Sequence, residues 1–125
     1  MLKGFALIFA LVFIVMGVVG FIPPLTRNQL LFNLFQIGSI HNIFYLLMGL
    51  FALSASASAV YAKLYFKILG IIFALIAILG FALNGNLGFL QVNLADSFFH
   101  LIVAIIALYL GYTSRLSASS HSQSI

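Results

Sequence analysis

The sequence has no cysteine, no tryptophan and a single acidic residue, Asp96. Without cysteine there is no disulfide, no thiolate metal site and no cysteine nucleophile. One carboxylate cannot supply, within one chain, the paired carboxylates of acid–base hydrolysis or a carboxylate-rich metal cage. No glycine-rich phosphate loop and no Ser-His-Asp set is legible. Charge of either sign is scarce: Lys3, Arg27, Lys63, Lys67, Asp96 and Arg115 make up 5% of the 125 residues, where a soluble domain carries roughly 25%. A water-facing surface cannot be built from that set. The net charge of +4 comes from dispersed cations, with no basic, aromatic-interleaved patch, so nucleic acid is not an expected partner.

What the chain has instead is apolar length. Its residues are 65% hydrophobic and its mean hydropathy is +1.29, which makes the lipid bilayer its solvent. Four stretches, residues 4–22, 39–60, 64–83 and 94–113, come close to the ~20 residues that cross ~30 Å of hydrocarbon. The first is longer than the ~7–15-residue core of a signal peptide and no small-x-small cleavage site follows it. Pro23-Pro24 ends it instead. Asn84, Gly85, Asn86 and Gly88 separate the third and fourth. Lys3, Lys63, Lys67 and Arg115 then fall on one side of the membrane and Arg27 alone on the other, so the positive-inside rule places both termini in the cytoplasm. Over residues 26–36, Gln29, Asn33 and Gln36 recur opposite Leu30, Leu31, Leu34 and Phe35. That spacing predicts either a short interfacial amphipathic helix or a re-entrant extension of the second span. The Ser-rich polar tail, residues 114–125, lacks apolar anchors and is expected to be disordered, with His121 solvated.

The two halves resemble each other. Residues 3–21 align with 63–81, matching Lys3 to Lys63, Phe13 to Phe73 and Gly20-Phe21 to Gly80-Phe81. In the second pair of spans, Phe35-Gln36-Ile37 aligns with Leu90-Gln91-Val92, His41 with Asp96, Asn42 with Ser97, Tyr45 with His100 and Gly49 with Ala104. A two-span repeat keeps its orientation, so the halves are expected to be related by a pseudo-twofold axis along the membrane normal. In the fourth span Asp96, His100, Ala104, Ala107 and Gly111 share one helix face; in the second, His41, Tyr45, Gly49, Ala52 and Ser56 do. Small residues on a face let backbones approach in lipid. Spans two and four are therefore expected to pack near the axis, and Gly70, Ala74 and Ala77 give span three a similar face. The run at residues 54–59, Ser-Ala-Ser-Ala-Ser-Ala, is small all round and suits close packing without selecting a face.

An ionisable residue inside a span is a candidate functional site. His41, Tyr45, Asp96 and His100 all begin the inward stripes, on the side opposite the chain ends. Each also has a structural reading. Asp96 suits the first turn of a helix that Asn93 caps. His41 and His100 suit hydrogen-bonded ties between helices, and Tyr45 an interhelical bond or an interface aromatic. The functional reading is a polar ligand site: a metal on His41, Asp96 and His100, or a tetrapyrrole between the two histidines.

Residues 31–53, containing Leu-Phe-Gln-Ile-Gly-Ser-Ile-His-Asn-Ile-Phe-Tyr-Leu-Leu-Met-Gly, resemble the second span of a bacterial family of small four-helix membrane proteins, the domain of unknown function 4383, which typically reads H-N-x-x-H-L-L-x-G there. Gln-Val-Asn-Leu-Ala-Asp-Ser-Phe-Phe-His-Leu at residues 91–101 resembles the family's V-N-x-A-D-N-x-x-H-L, and Gly20-Phe21-Ile22-Pro23 its first turn. The resemblance implies motif positions at His41, Asn42, Gly49, Asn93, Asp96 and His100, and carries no activity with it. Tyr45 stands where the family has a second His, Ser97 where it has Asn, and Ala104 where it has Gly. The loss of a His at Tyr45 weakens a symmetric multi-histidine metal site and suits a hydrogen-bonded tie.

The expected protein is thus all-α: a polytopic membrane four-helix bundle of two tandem two-helix repeats over residues 1–113, in the bacterial inner membrane. The expected function is a non-enzymatic structural or accessory component of a membrane assembly, as a homo-oligomer or in a larger complex, with no cofactor required by the sequence. The alternative is a module that binds or transports a small ligand, metal or tetrapyrrole.

Overall fold

The computed structural model describes residues 1–22, 26–27, 30–31, 35–36, 38–88 and 90–115. Its helices are α1 (Leu2–Val19), α2 (Ser39–Ala55), α3 (Ala59–Ala82) and α4 (Leu94–Thr113). By length and composition α1, α3 and α4 are each able to cross a membrane, and they mark the chain as a membrane protein. The fourth apolar helix, α2, has 17 residues, about 25 Å at ~1.5 Å per residue. Its surface is built for lipid: Leu11, Ile78 and Tyr109 are among many large apolar side chains that point outward, while Phe13, Phe66, Leu69 and Phe73 fill the centre.

Two expectations about local structure change. Among the described residues of 26–36 there is neither a helix nor an extension of α2. The described residues there pair as short antiparallel strands, β1 (Thr26–Arg27), β2 (Leu30–Leu31) and β3 (Phe35–Gln36), in the order β1-β2-β3. Thr26 lies opposite Leu31, and Leu30 opposite Gln36. An eleven-residue helix is marginal on its own, and a preceding Pro-Pro biases the entering chain towards extended backbone. The strands instead satisfy one another's amides and carbonyls. The residues of the tail beyond Arg115 lie outside the described residues.

The second change is at the Ser-Ala run. Residues 56–58 of it link α2 to α3, while Ala55 and Ala59 at the two helix ends are buried. Serine hydroxyls compete with helical backbone bonds. Ser56 Oγ donates to the Leu53 carbonyl at 2.6 Å, and Ser58, in extended backbone, accepts the Val60 amide at 3.2 Å as the N-cap of α3. The second span therefore ends at Ala55 rather than residue 60, and α3 starts at Ala59 rather than 64. Lys63 and Lys67 lie inside α3 rather than beside a loop. At the other end of α3 the chain turns through Asn84 (φ 52°) and Gly85 (φ 87°). The Gly85 amide donates to the Gly80 carbonyl at 2.9 Å, and Val92 donates back to Gly85 at 2.9 Å.

Helix contacts lie mainly within two hairpins, α1 with α2 and α3 with α4. The small residues serve these hairpins. A Cβ on Gly49 would come within 2.9 Å of the Ile14 amide nitrogen of α1, one on Gly111 within 2.8 Å of the Lys67 amide nitrogen of α3, and one on Gly70 within 2.6 Å of Leu108. Ala104 and Ala107 are buried in the central cluster and Ala74 packs against it half-buried. The expected packing of α2 on α4 along their small-residue stripes is not found: Gly49 faces α1 and Gly111 faces α3, and α2 meets α4 through the rings of His41, Tyr45 and His100 at one end. Where α2 and α3 diverge, an apolar cavity of about 340 Å³ opens, lined by Met48, Phe51, Tyr61, Leu64, Tyr65 and Ile68 among others. The Tyr65 hydroxyl spans its floor and donates to the Met48 carbonyl at 2.9 Å.

Opposite outcomes are expected from one substitution at two helical glycines. Gly111→Ala forces α3 and α4 apart and is expected to destabilise by ~1–3 kcal/mol. Gly4→Ala meets nothing within 4 Å and is expected to stabilise by up to ~1 kcal/mol through helix propensity. Thermal unfolding in one detergent measures both, and equal effects would contradict the α3–α4 contact.

Candidate functional site

The polar residues gather at one end of the bundle, where α2 and α4 begin. We call this the polar end, and the end with the α2–α3 link the basic end. The start of α4 explains itself. Asn93 sits in extended backbone and its Oδ1 accepts the Asp96 amide at 2.9 Å, while Asp96 Oδ2 accepts the Asn93 amide at 3.0 Å. This reciprocal capping box satisfies two amides that α4 leaves open, and puts the carboxylate at the positive end of the helix dipole. Asp96 is fully enclosed, 0% exposed, so one of its oxygens is committed to holding up the helix start.

One turn on, His100 is also fully enclosed. Its Nε2 lies 3.2 Å from the Tyr45 hydroxyl, a bond from α4 to α2 and so from one hairpin to the other. The His41 ring stacks on Tyr45 with centroids 4.7 Å apart and lies 5.8 Å from the His100 ring. Phe73 of α3 meets His100 edge-on at 5.2 Å. Phe13 of α1 stacks on Tyr45 at 5.8 Å and touches Phe73 at 5.5 Å. All four helices contribute a ring to this layer. Of the residues singled out in the sequence, His41, Tyr45 and His100 are brought into contact, while Asp96, one turn earlier on α4, exchanges bonds with Asn93.

The flanking positions are explained by glycines. Asn42 is buried, and its Oδ1 lies where a Cβ on Gly20 would fall, at 2.1 Å. Ser97 is buried in the same relation to Gly80, with its Oγ at 2.5 Å from that glycine's Cβ position. Phe13 and Phe73, read from sequence only as repeat-matched packing residues, turn out to wall the polar layer. The signal available was their alignment with each other when the two halves of the sequence are compared.

The chemistry of the arrangement is that of a tie. Among the described residues no three His, Cys, Asp or Glu side chains converge as a metal site, so the His41, Asp96 and His100 set does not fit a metal. The two imidazoles pack against Tyr45 and Phe73 at ring-contact distance, and the Tyr45 hydroxyl engages His100 Nε2.

Comparison with known families matches residues 3–113 to the Domain of unknown function (DUF4383). The match covers most of the chain, and the chain belongs to that family. No curated protein and no solved structure matches it.

Removing either tie is expected to cost measurable stability. Tyr45→Phe deletes only the hydroxyl and is expected to destabilise by ~0.6–1.7 kcal/mol, the range of interhelical hydrogen bonds in membranes. Asn93→Ala is expected to cost ~1 kcal/mol as a lost cap. Unfolding of the double variant should show the two costs adding, since the sites share no bond.

Proposed function

We propose that this member of the domain of unknown function 4383 family is a non-enzymatic four-span protein of the bacterial inner membrane, acting as a structural or accessory component of a membrane assembly, with both termini cytoplasmic. The observation that carries this reading is the employment of the polar layer. Asp96 is held in a capping box, Tyr45 and His100 hold each other across the hairpins, and both imidazoles are walled by rings. Groups held in this way tie helices together.

The architecture proposed with it is a tandem two-helix repeat about a pseudo-twofold axis. Residues matched by the repeat and lying on such an axis must touch each other. Phe13 and Phe73 do so at 5.5 Å, and Tyr45 and His100 at 3.2 Å. Off the axis, matched pairs should recur in parallel. Gly20 against Asn42 in the first half is repeated as Gly80 against Ser97 in the second. The orientation rests on the cations, of which Lys3, Lys63, Lys67 and Arg115 belong to the basic end and Arg27 to the connection at the polar end.

Two experiments test these statements. Purified from native membranes in mild detergent, the 13.6 kDa chain is expected in a defined assembly with itself or with stoichiometric partner subunits. A monomer at every concentration, active on a substrate or loaded with a ligand, would overturn the accessory role. A reporter that works only in the cytoplasm is expected to give signal when fused after Arg115 and none when inserted after Gly85. The reverse pattern would invert the proposed orientation.

A further inference from the structure

We propose that the basic end of the α3–α4 seam is a binding site for an anionic phospholipid headgroup, formed by Lys63, Lys67 and Arg115. The argument begins with charge. The chain's single acidic side chain, Asp96, is at the polar end, a full helix length from these cations and engaged with the start of α4. No Asp or Glu of this chain can neutralise them. Yet Lys63 and Lys67 stand four residues apart on one face of α3, where like charges repel, and Arg115 follows α4 directly onto the same end.

Geometry then shows that the seam gathers the two lysines, with Arg115 next to the Ser114 carbonyl in sequence. Gly111 lets α4 run against the backbone and stem of Lys67, at 2.8–3.2 Å from where its Cβ would be. Lys67 is in the third turn of α3, deep for a charge beside lipid, and its ammonium lies over the Tyr112 ring, 5.0 Å from the centroid. The Lys63 ammonium donates to the Ser114 carbonyl at the end of α4. Both lysines are thus held along the seam by neutral partners, a π-face and a carbonyl, which orient the charge and leave it in place. An ammonium offers three donors, so capacity remains for phosphate oxygens.

The surface next to this charge is apolar. Ile71 and Ile78 on α3, and Ile105 and Tyr109 on α4, are exposed at helical spacing from Lys67 and Tyr112. A molecule that satisfies both parts has a phosphate at the interface and hydrocarbon below it. That is a phospholipid with a net negative headgroup, drawn by about 1 kcal/mol per Lys or Arg near an anionic surface. A free phosphate would satisfy the cations alone. This site does not depend on the accessory role proposed above.

Native mass spectrometry of the full chain, released from detergent containing equal phosphatidylglycerol and phosphatidylcholine, tests the proposal. Wild type is expected to retain phosphatidylglycerol with at least tenfold preference. Lys67→Gln/Arg115→Gln is expected to reduce that preference by tenfold or more, at about fivefold per charge. Lys67→Arg keeps the charge and is expected to keep the preference, and circular dichroism checks that each variant remains helical. Excess inorganic phosphate is expected to leave the bound lipid in place. Equal retention of the two lipids by wild type, an unchanged preference in the double variant, or displacement by inorganic phosphate would each overturn the lipid site. The orientation and assembly tests are unaffected by any of these results.

Discussion

The hydrogen bond between Tyr45 and His100 joins two hairpins inside a medium that offers no alternative partner. In water such a bond exchanges with solvent and contributes little net stability. In hydrocarbon an unmade bond at either group would leave a polar atom exposed to lipid, so the pair is held by what separation would cost. The rest of the polar end follows from enclosing that bond. Phe13 of α1 and Phe73 of α3 close around it, with His41 of α2 stacked on Tyr45, and Asn42 and Ser97 reach the layer's edge only because Gly20 and Gly80 give them room. The apolar contacts between hairpins do not select one arrangement so sharply, because lipid tails compete with Leu and Ile for the same surfaces.

Much of this was legible in the sequence, for definite reasons. A span announces itself because its apolar length is set by bilayer thickness, and α4 falls on residues 94–113 as expected. The cap was legible because Asn93 and Asp96 are three residues apart, the spacing a capping box needs. The meeting of His41, Tyr45 and His100 was legible in part because helical periodicity puts His41 with Tyr45 on one face of α2 and Asp96 with His100 on one face of α4. What was not legible depended on competition between local structures. The run at residues 54–59 reads as helix by size, yet its hydroxyls turn back on the chain at Ser56 and Ser58. Residues 26–36 have helical periodicity, yet their described residues pair as strands. The partner of each small-residue face was also out of reach: periodicity reports that Gly49 faces inward but not that α1, rather than α4, fills the space.

The two ends of the bundle handle charge in opposite ways. At the polar end a single carboxylate is taken out of solvent and supported by an amide and by the α4 dipole. At the basic end a cation lies on a long stem along the protein: the Lys67 stem runs beside Gly111 and its ammonium lies over Tyr112. The difference follows from side-chain length. Aspartate cannot reach water from an enclosed helix start and so must be satisfied where it is. Lysine in the third turn of α3 can extend back towards the headgroups, with Tyr112 covering its path.

On the proposed repeat, the places where the halves have diverged have a physical logic. A residue on a twofold axis faces its own counterpart. Phe13 and Phe73 can be identical, because two aromatic rings tilt to fit each other, as these do at 53°. A polar pair is harder to keep identical: two tyrosines or two neutral histidines must break symmetry to form one bond, with one donating and the other accepting. Tyr45 facing His100 builds the asymmetry into the sequence, since the phenol is a ready donor and the imidazole a ready acceptor. The same reasoning applies beside the axis, where His41 is matched by Asp96. An aspartate in both halves would bring two carboxylates into one enclosed layer, where like charges cannot both remain ionised. A single Asp, capped by its own helix, avoids that repulsion, and the imidazole in the matching place stacks on Tyr45 instead. Divergence between the halves at these positions is therefore what lets the layer close without a second buried charge.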